Sequence, residues 1–308
     1  MIHARGWIIQ RMDHSFARID RSFIGLCESR IVRTKSTTSP ARYLTSAVVS
    51  AVVFITLYLF FVRTHVGQSM DQLAYDGAEF GRRSVTPLTL RLLDSLPTVS
   101  VVVGLVLTVV IAMVRRNGRT LVVALGVAVV ATATTQLLKY GVLSRPDLGV
   151  EGYAGNSFPS GHTTVAAASA LAVFLLAGPR TRSMVGAWGS FFAVVAGVAT
   201  LANQWHRPSD VIAALLVVAF WGCVGGAVLT HGRTGLVDEA SRASGLGRRW
   251  WIVIPFVVVT GMAFVITFLR ASSQSPSTLV AYIGGVTAII AAGFMIALVA
   301  TRLFARLP

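Results

Sequence analysis

Apolar residues run along this chain in eight long blocks, near 44–63, 97–114, 120–138, 162–178, 184–203, 209–230, 251–270 and 279–301, separated by short polar segments. Most reach the ~20 residues that a helix needs to cross the hydrocarbon of a bilayer. The second and fourth fall slightly short. None shows the strict apolar–polar alternation of a barrel strand, so helices are the structure that satisfies the backbone within lipid. The pattern predicts an all-α fold, a polytopic bundle of membrane helices. The first block reads as a span and not as a cleavable signal peptide, because it starts only after residue 43 and is long enough to cross.

The polar segments divide the chain further. Residues 1–43 form a basic N-terminal segment, 44–230 hold six of the blocks, 231–250 form a linker rich in Gly, Arg and Ser, and 251–308 carry the last two blocks. In the N-terminal segment Ile8, Met12, Phe16, Ile19, Phe23 and Leu26 recur at three- and four-residue spacing, with Arg5, Arg11, Arg18 and Arg21 between them. Two readings fit it equally: an amphipathic helix lying on an anionic membrane surface, or a partly disordered basic tail.

Composition agrees with the block pattern. The 308 residues are 54% hydrophobic and 13% charged, against about a quarter charged in soluble domains. Mean hydropathy is +0.71. The net charge of +15 does not indicate a nucleic-acid partner, since the basic residues sit between apolar blocks, where topology signals are found. With the N-terminus placed in the cytoplasm, most of the 27 Lys and Arg residues fall on the cytoplasmic side. The bias predicts both termini inside a cell (plasma) membrane and the segments 139–161 and 204–208 together on the extracytoplasmic face. Cys27 and Cys223 are isolated, which excludes a disulfide framework.

Three polar clusters stand at the outer ends of spans three to six. The first runs from Lys139 to Arg145, Pro146 and Asp147. A lysine here could simply snorkel to the interface. Pro146, however, holds Arg145 in an extended conformation, aiming a guanidinium fork suited to phosphate oxygens. The second cluster is Ser157-Phe158-Pro159-Ser160-Gly161-His162. Ser160 is a good helix N-cap, Gly161 permits close backbone approach, and the free amides of a helix start attract anions. His162, read alone, is more often a structural histidine; within Pro-Ser-Gly-His it gains specificity. The third is Asn203-Gln204-Trp205-His206-Arg207-Pro208-Ser209-Asp210. Pro208 suits a helix's first turn, and His206 and Asp210, four apart, share one face if the helix starts near them. A carboxylate on one imidazole nitrogen leaves the other free as a nucleophile. An Asp favoured by the helix dipole explains Asp210 equally well.

Together the clusters supply cations, backbone amides, two histidines and an orienting carboxylate, the parts that phosphoryl transfer uses. Metal-ligand spacing and a phosphate-binding glycine loop are both missing. The expectation is a reaction with no cofactor and no metal.

At this point the sequence resembles the type 2 phosphatidic acid phosphatase (PAP2) superfamily, whose site is shared with vanadium haloperoxidases and bacterial acid phosphatases. The family pattern is Lys-x6-Arg-Pro, then Pro-Ser-Gly-His, then Ser-Arg-x5-His-x3-Asp. Pro159-Ser160-Gly161-His162 matches the second motif, Arg145-Pro146 the end of the first, and His206 with Asp210 the end of the third. The resemblance covers about residues 44–230 and implies a six-helix PAP2-like core, with the last two helices outside it. It implies that His206 attacks phosphorus to form a phosphohistidine, that Asp210 orients His206, and that His162 protonates the leaving alkoxide. Lys139, Arg145, Ser160 and Gly161 would hold phosphate oxygens. The chain departs from the pattern twice. Lys139 is one residue too close to Arg145, with Leu138 in the family position. The Ser-Arg of the third motif falls on Ala199-Thr200, so that arginine is missing. Arg207, beside the expected nucleophile, is the candidate to replace it.

The expected function is hydrolysis of a lipid phosphate or pyrophosphate, such as phosphatidate, phosphatidylglycerol phosphate or a polyprenyl (pyro)phosphate. The expected partners are that substrate and membrane lipid. Two alternatives stand beside it: a lipid phosphotransferase using the same phosphohistidine, and a weakly catalytic lipid-phosphate binding or transport protein on the same fold. The lipid and the oligomeric state are not legible in the sequence.

Overall fold

The computed structural model describes residues 40–80, 87–152, 155–231, 250–270 and 277–305. These belong to one compact unit, Thr38–Arg233 with Gly245–Pro308. A second unit, Met1–Thr37 with Thr234–Ser244, lies outside the described residues. So do the N-terminal segment with its two readings, and Cys27 and most of the linker.

The described residues form helices and no strands. In chain order they are α1 (Ala41–Leu57), α2 (His65–Gly77), α3 (Pro87–Arg115), α4 (Gly118–Leu137), α5 (Gly161–Leu176), α6 (Arg182–Ala202), α7 (Pro208–Thr230), α8 (Trp250–Arg270) and α9 (Thr278–Leu303). The helix α1 widens into a π-helical stretch at Tyr58–Val62, and α4 into another at Leu138–Val142. Seven helices are long and apolar enough to cross a membrane. The chain is a multi-pass membrane protein.

Eight apolar blocks suggested eight spans; seven are helices of full spanning length and the fourth is shorter. The fourth, α5, has only 16 residues, or about 24 Å at 1.5 Å per residue, against the ~30 Å of bilayer hydrocarbon. Its N-cap Ser160 and its C-terminal Leu175 and Leu176 are all buried. It is held inside the bundle between α3, α4, α6 and α7, which cover it.

Packing rather than water drives helices together in lipid, and small residues permit it. The central α7 illustrates this. A Cβ added at Gly197 on α6 would stand 2.6 Å from Val211 Cγ1 of α7, and one at Gly226 would run into the Tyr43 ring of α1. The last pair does not stand apart from the six-helix core: α9 packs on α2, α6 and α7 as well as on α8. Ser190 of α6 donates to the Gly293 carbonyl of α9 at 2.9 Å.

Connectivity brings one end of the bundle together. The C-terminal end of α4, the start of α5, the end of α6 and the start of α7 must lie on one side, because successive spans alternate direction. The helix α2, between the end of α1 and the start of α3, lies on that side too. It starts at Thr64, whose hydroxyl accepts from the Gly67 amide at 3.0 Å. It is short, amphipathic and outside the eight apolar blocks, yet Gln68, Asp71 and Gln72 on it are buried.

Candidate active site

The site forms where α5 and α7 begin. Ser160 caps α5, its hydroxyl accepting from the Thr163 amide at 3.3 Å. The Ser160 amide donates to the backbone carbonyl of Asp210 at 2.9 Å. The two helix starts are thereby tied together, and Gly161 and His162 are carried to the beginning of α7. The imidazoles of His162 and His206 meet edge to face, with centroids 5.8 Å apart. His162 is exposed and packs against Trp205 at 5.2 Å, whereas His206 is buried. The pair therefore opens outward through His162.

Asp210 lies fully buried below His206. Its Oδ2 stands 3.5 Å from His206 Nδ1, at the outer edge of hydrogen-bonding distance. The same oxygen accepts from Ser157 Oγ at 2.6 Å and from the Arg207 amide at 3.0 Å. The other oxygen, Oδ1, accepts from Arg145 Nη2 at 3.4 Å. These contacts fix the carboxylate beside Nδ1, which itself makes no hydrogen bond among the described residues; a proton on Nδ1 would face the carboxylate and leave Nε2 unprotonated.

The loop carrying His206 is shaped by Thr200. Its backbone carbonyl accepts from the amides of Trp205 at 2.9 Å and His206 at 3.3 Å. Its hydroxyl turns back onto the Gly197 carbonyl at 2.8 Å. The position where the family has arginine is thus a buried residue in the last turns of α6, its hydroxyl satisfied within the helix.

Arg145 reaches the site with its side chain almost fully buried, 3.4 Å from both Asp71 Oδ2 and Asp210 Oδ1. Two carboxylates thus flank one guanidinium. Asp71 also accepts from the Ser209 amide at 3.1 Å and from Ser209 Oγ at 2.6 Å, so α2 caps the N-terminus of α7 from outside its own chain segment. Burial pushes the Asp71 carboxyl above its ordinary value, with Arg145 opposing the rise and Asp210 adding to it.

Lys139 lies in the π-helical end of α4. Its ammonium stands over the Tyr140 ring, 5.5 Å from the centroid. Leu138, in the family's lysine position, packs into a core cluster with Phe54 and Trp221. The widened turn is closed by Asn156, whose side-chain amide donates to the carbonyls of Lys139 and Leu143, each at 2.9 Å.

Arg207 is buried and points toward α2. Its Nε and Nη2 both donate to Gln72 Oε1, at 3.0 and 2.8 Å, and Nη1 donates to Ser157 Oγ at 3.0 Å. Its guanidinium lies over the Tyr75 ring at 5.4 Å. The Tyr75 hydroxyl donates to the Gln204 carbonyl, closing the loop onto α2.

Asp71, Gln72 and Tyr75 are the parts of this constellation that motif reading passes over, because they lie on α2, upstream of every motif. A signal for them exists in the sequence. Gln68, Asp71, Gln72 and Tyr75 fall at three- and four-residue spacing, one face of a helix, and polar faces in membrane proteins turn inward. Among the described residues no group of three or more His, Cys, Asp or Glu is placed to hold a metal ion.

The fold is that of a polytopic membrane protein, with two histidines from different helix starts brought together at one end of the bundle. Residues 119–231 match the family model of the PAP2 superfamily, which supports membership of that superfamily. Its members are typically phosphatases, which supports a phosphoric ester hydrolase in the broad sense. The matched residues contain His162, His206, Asp210 and Arg145; α2 lies before them. Comparisons with curated proteins and with solved structures find no match.

Proposed function

We propose that the protein hydrolyses a lipid phosphate or pyrophosphate at the extracytoplasmic face through a phosphohistidine. The observation that carries the proposal is the convergence of His162 and His206, from different helices, within 5.8 Å, with Asp210 on the Nδ1 side of His206. In this reading His206 Nε2 attacks phosphorus, forming the P–N bond as the P–O bond to the lipid breaks. His162, on the exposed side, gives its proton to the leaving oxygen. Water then attacks the phosphohistidine, His162 takes a proton from it, and inorganic phosphate leaves. Lys139, Arg145 and the Ser160–Gly161 helix start supply positive potential for the phosphate oxygens.

A lipid substrate is supported by the surroundings. The site sits where apolar, lipid-facing helices end, and α5 is shorter than the hydrocarbon is thick, which recesses its first turn. An amphiphile entering sideways from the outer leaflet can place its headgroup there without leaving the bilayer. The Lys and Arg bias supports the extracytoplasmic side.

The test is phosphate release from phosphatidic acid, phosphatidylglycerol phosphate and a polyprenyl pyrophosphate by purified protein. The expected result is turnover of at least one of them, reduced at least about a thousandfold in His206→Ala and unaffected by chelator. Turnover by His206→Ala at the wild-type rate would refute the phosphohistidine. A phosphorylated acceptor in place of free phosphate would indicate transferase activity, and binding without turnover a carrier.

A further inference from the structure

One chain of hydrogen bonds at the site remains unused by this mechanism. It begins on α2, where Gln72 Nε2 donates to Asp76 Oδ1 at 2.8 Å and so presents Oε1 to Arg207. Arg207 binds that oxygen with two donors and passes a third to Ser157 Oγ. Ser157 then donates to Asp210 Oδ2 at 2.6 Å, the oxygen nearest His206 Nδ1. Among the described residues the guanidinium contacts Gln72, Ser157 and the Tyr75 ring, on this side. The attacking Nε2 is on the opposite edge of the His206 ring.

We infer that Gln72, Arg207 and Ser157 form a positioning relay that holds Asp210, and through it His206, so that Arg207 serves the carboxylate and does not bind the substrate phosphate. The inference rests on the phosphatase reading above. It assigns Arg207 a role other than replacing the missing third-motif arginine, and it makes α2 part of the catalytic apparatus although α2 lies outside residues 119–231.

The chemistry is one of charge and aim. Ser157 Oγ has one proton to give. With Arg207 donating to its lone pair, that proton is committed to Asp210, and the hydroxyl is polarised into a stronger donor. Gln72 accepts from Arg207 without neutralising it. Its neutral amide aligns the fork through two donors and leaves the positive charge in place behind Asp210. His206 is also faced by Asp210 below, by His162 across the mouth and by Arg145 beyond Asp210; Oδ2 accepts from the Arg207 amide at 3.0 Å as well, so Ser157 supplies the shorter of its two hydrogen bonds and the one side-chain donor among the described contacts.

The relay separates turnover from binding. With full-length protein in detergent, p-nitrophenyl phosphate as substrate and inorganic phosphate as competing ligand, Ser157→Ala is expected to lower kcat about tenfold, the loss of one buried hydrogen bond. KM and inhibition by inorganic phosphate should stay within about twofold. Ser157→Thr, which keeps the hydroxyl, should recover most of that kcat. Arg207→Lys cannot bridge Gln72 and Ser157 together, and should repeat the kcat loss with phosphate inhibition unchanged. Melting temperatures measured alongside identify any variant that has merely unfolded, and the Ser157 pair then decides. Arg207→Lys that weakens inorganic phosphate tenfold at unchanged kcat would place Arg207 on the substrate and overturn the relay, as would Ser157→Ala with wild-type kcat. Wild-type protein that folds but turns over neither this substrate nor the lipids would instead fail the phosphatase reading, and the relay's catalytic role with it.

Discussion

Asp71 is the buried acid outside the motifs that ties α2 to the start of α7. It accepts from Ser209 twice and stands against Arg145, all out of contact with water. Asp71→Ala removes a helix cap and leaves a buried guanidinium with one carboxylate, which should destabilise the protein by about 3 kcal/mol, measured as a lowered denaturation midpoint in detergent. Its raised carboxyl also has a pH signature. A group whose pKa is higher in the folded than in the unfolded protein contributes stability that is complete below the unfolded value and is lost as pH rises through the folded one. Asp71→Asn carries no such titration. Its melting temperature relative to wild type should therefore climb as pH rises from 3.8 upward. Vanadate adds a test of the attacking nitrogen: as a mimic of five-coordinate phosphorus it should inhibit wild type and lose potency with kcat in Ser157→Ala. Of the site residues, His162, His206, Asp210, Ser160, Gly161 and Arg145 were legible because motif spacing carries them. Asp71 and Gln72 carry only the weaker signal of a polar helix face, because their partners, 138 and 135 residues away, are what give them a role.

At the scale of elements, the contrast is between long helices and α2. A block of about twenty apolar residues can only be a span, so seven of the helices follow from hydropathy. The helix α2 is mixed in character and is held by contacts, among them Gln68 Nε2 donating to the carbonyls of Val62 at 2.8 Å and Pro146 at 2.9 Å. It also depends on a close crossing at Gly67, where a Cβ would collide with the Phe60 carbonyl. Gly67→Leu should displace α2 and with it Asp71 and Gln72. Phosphate release should fall at least tenfold while the protein still inserts in the membrane, as read by activity and membrane fractionation. The π-helical end of α4 belongs to the same category. It turns Leu138 into the core and leaves Lys139 beside Tyr140, a change of phase that residue counting along an ideal helix does not reveal.

For the whole molecule, the last two helices look dispensable from the motif pattern and structural from the packing. On α9, a Cβ at Gly285 would stand 2.6 Å from Pro208 Cγ, beside His206 and Arg207. Removing residues 251–308 should therefore cost activity as well as stability, checked by phosphate release and thermal denaturation of the truncated protein. Orientation is testable with a membrane-impermeant maleimide on intact cells. In a Cys27→Ser background, Asp147→Cys at the site end should label and Arg180→Cys at the opposite end should not. The amino-acid order alone determined the class of fold, the number of apolar helices and the end of the bundle where the chemistry gathers, because hydropathy and helix length are local properties and alternating spans leave little choice of side. It took the folded chain to show that Arg207 faces Gln72 and Ser157, that Thr200 is buried and satisfied within α6, that α5 is enclosed, and that α2 and α9 buttress the site. Those are relations between residues far apart in the chain, and their energies come from burial and hydrogen-bond geometry that exist only once the helices have packed.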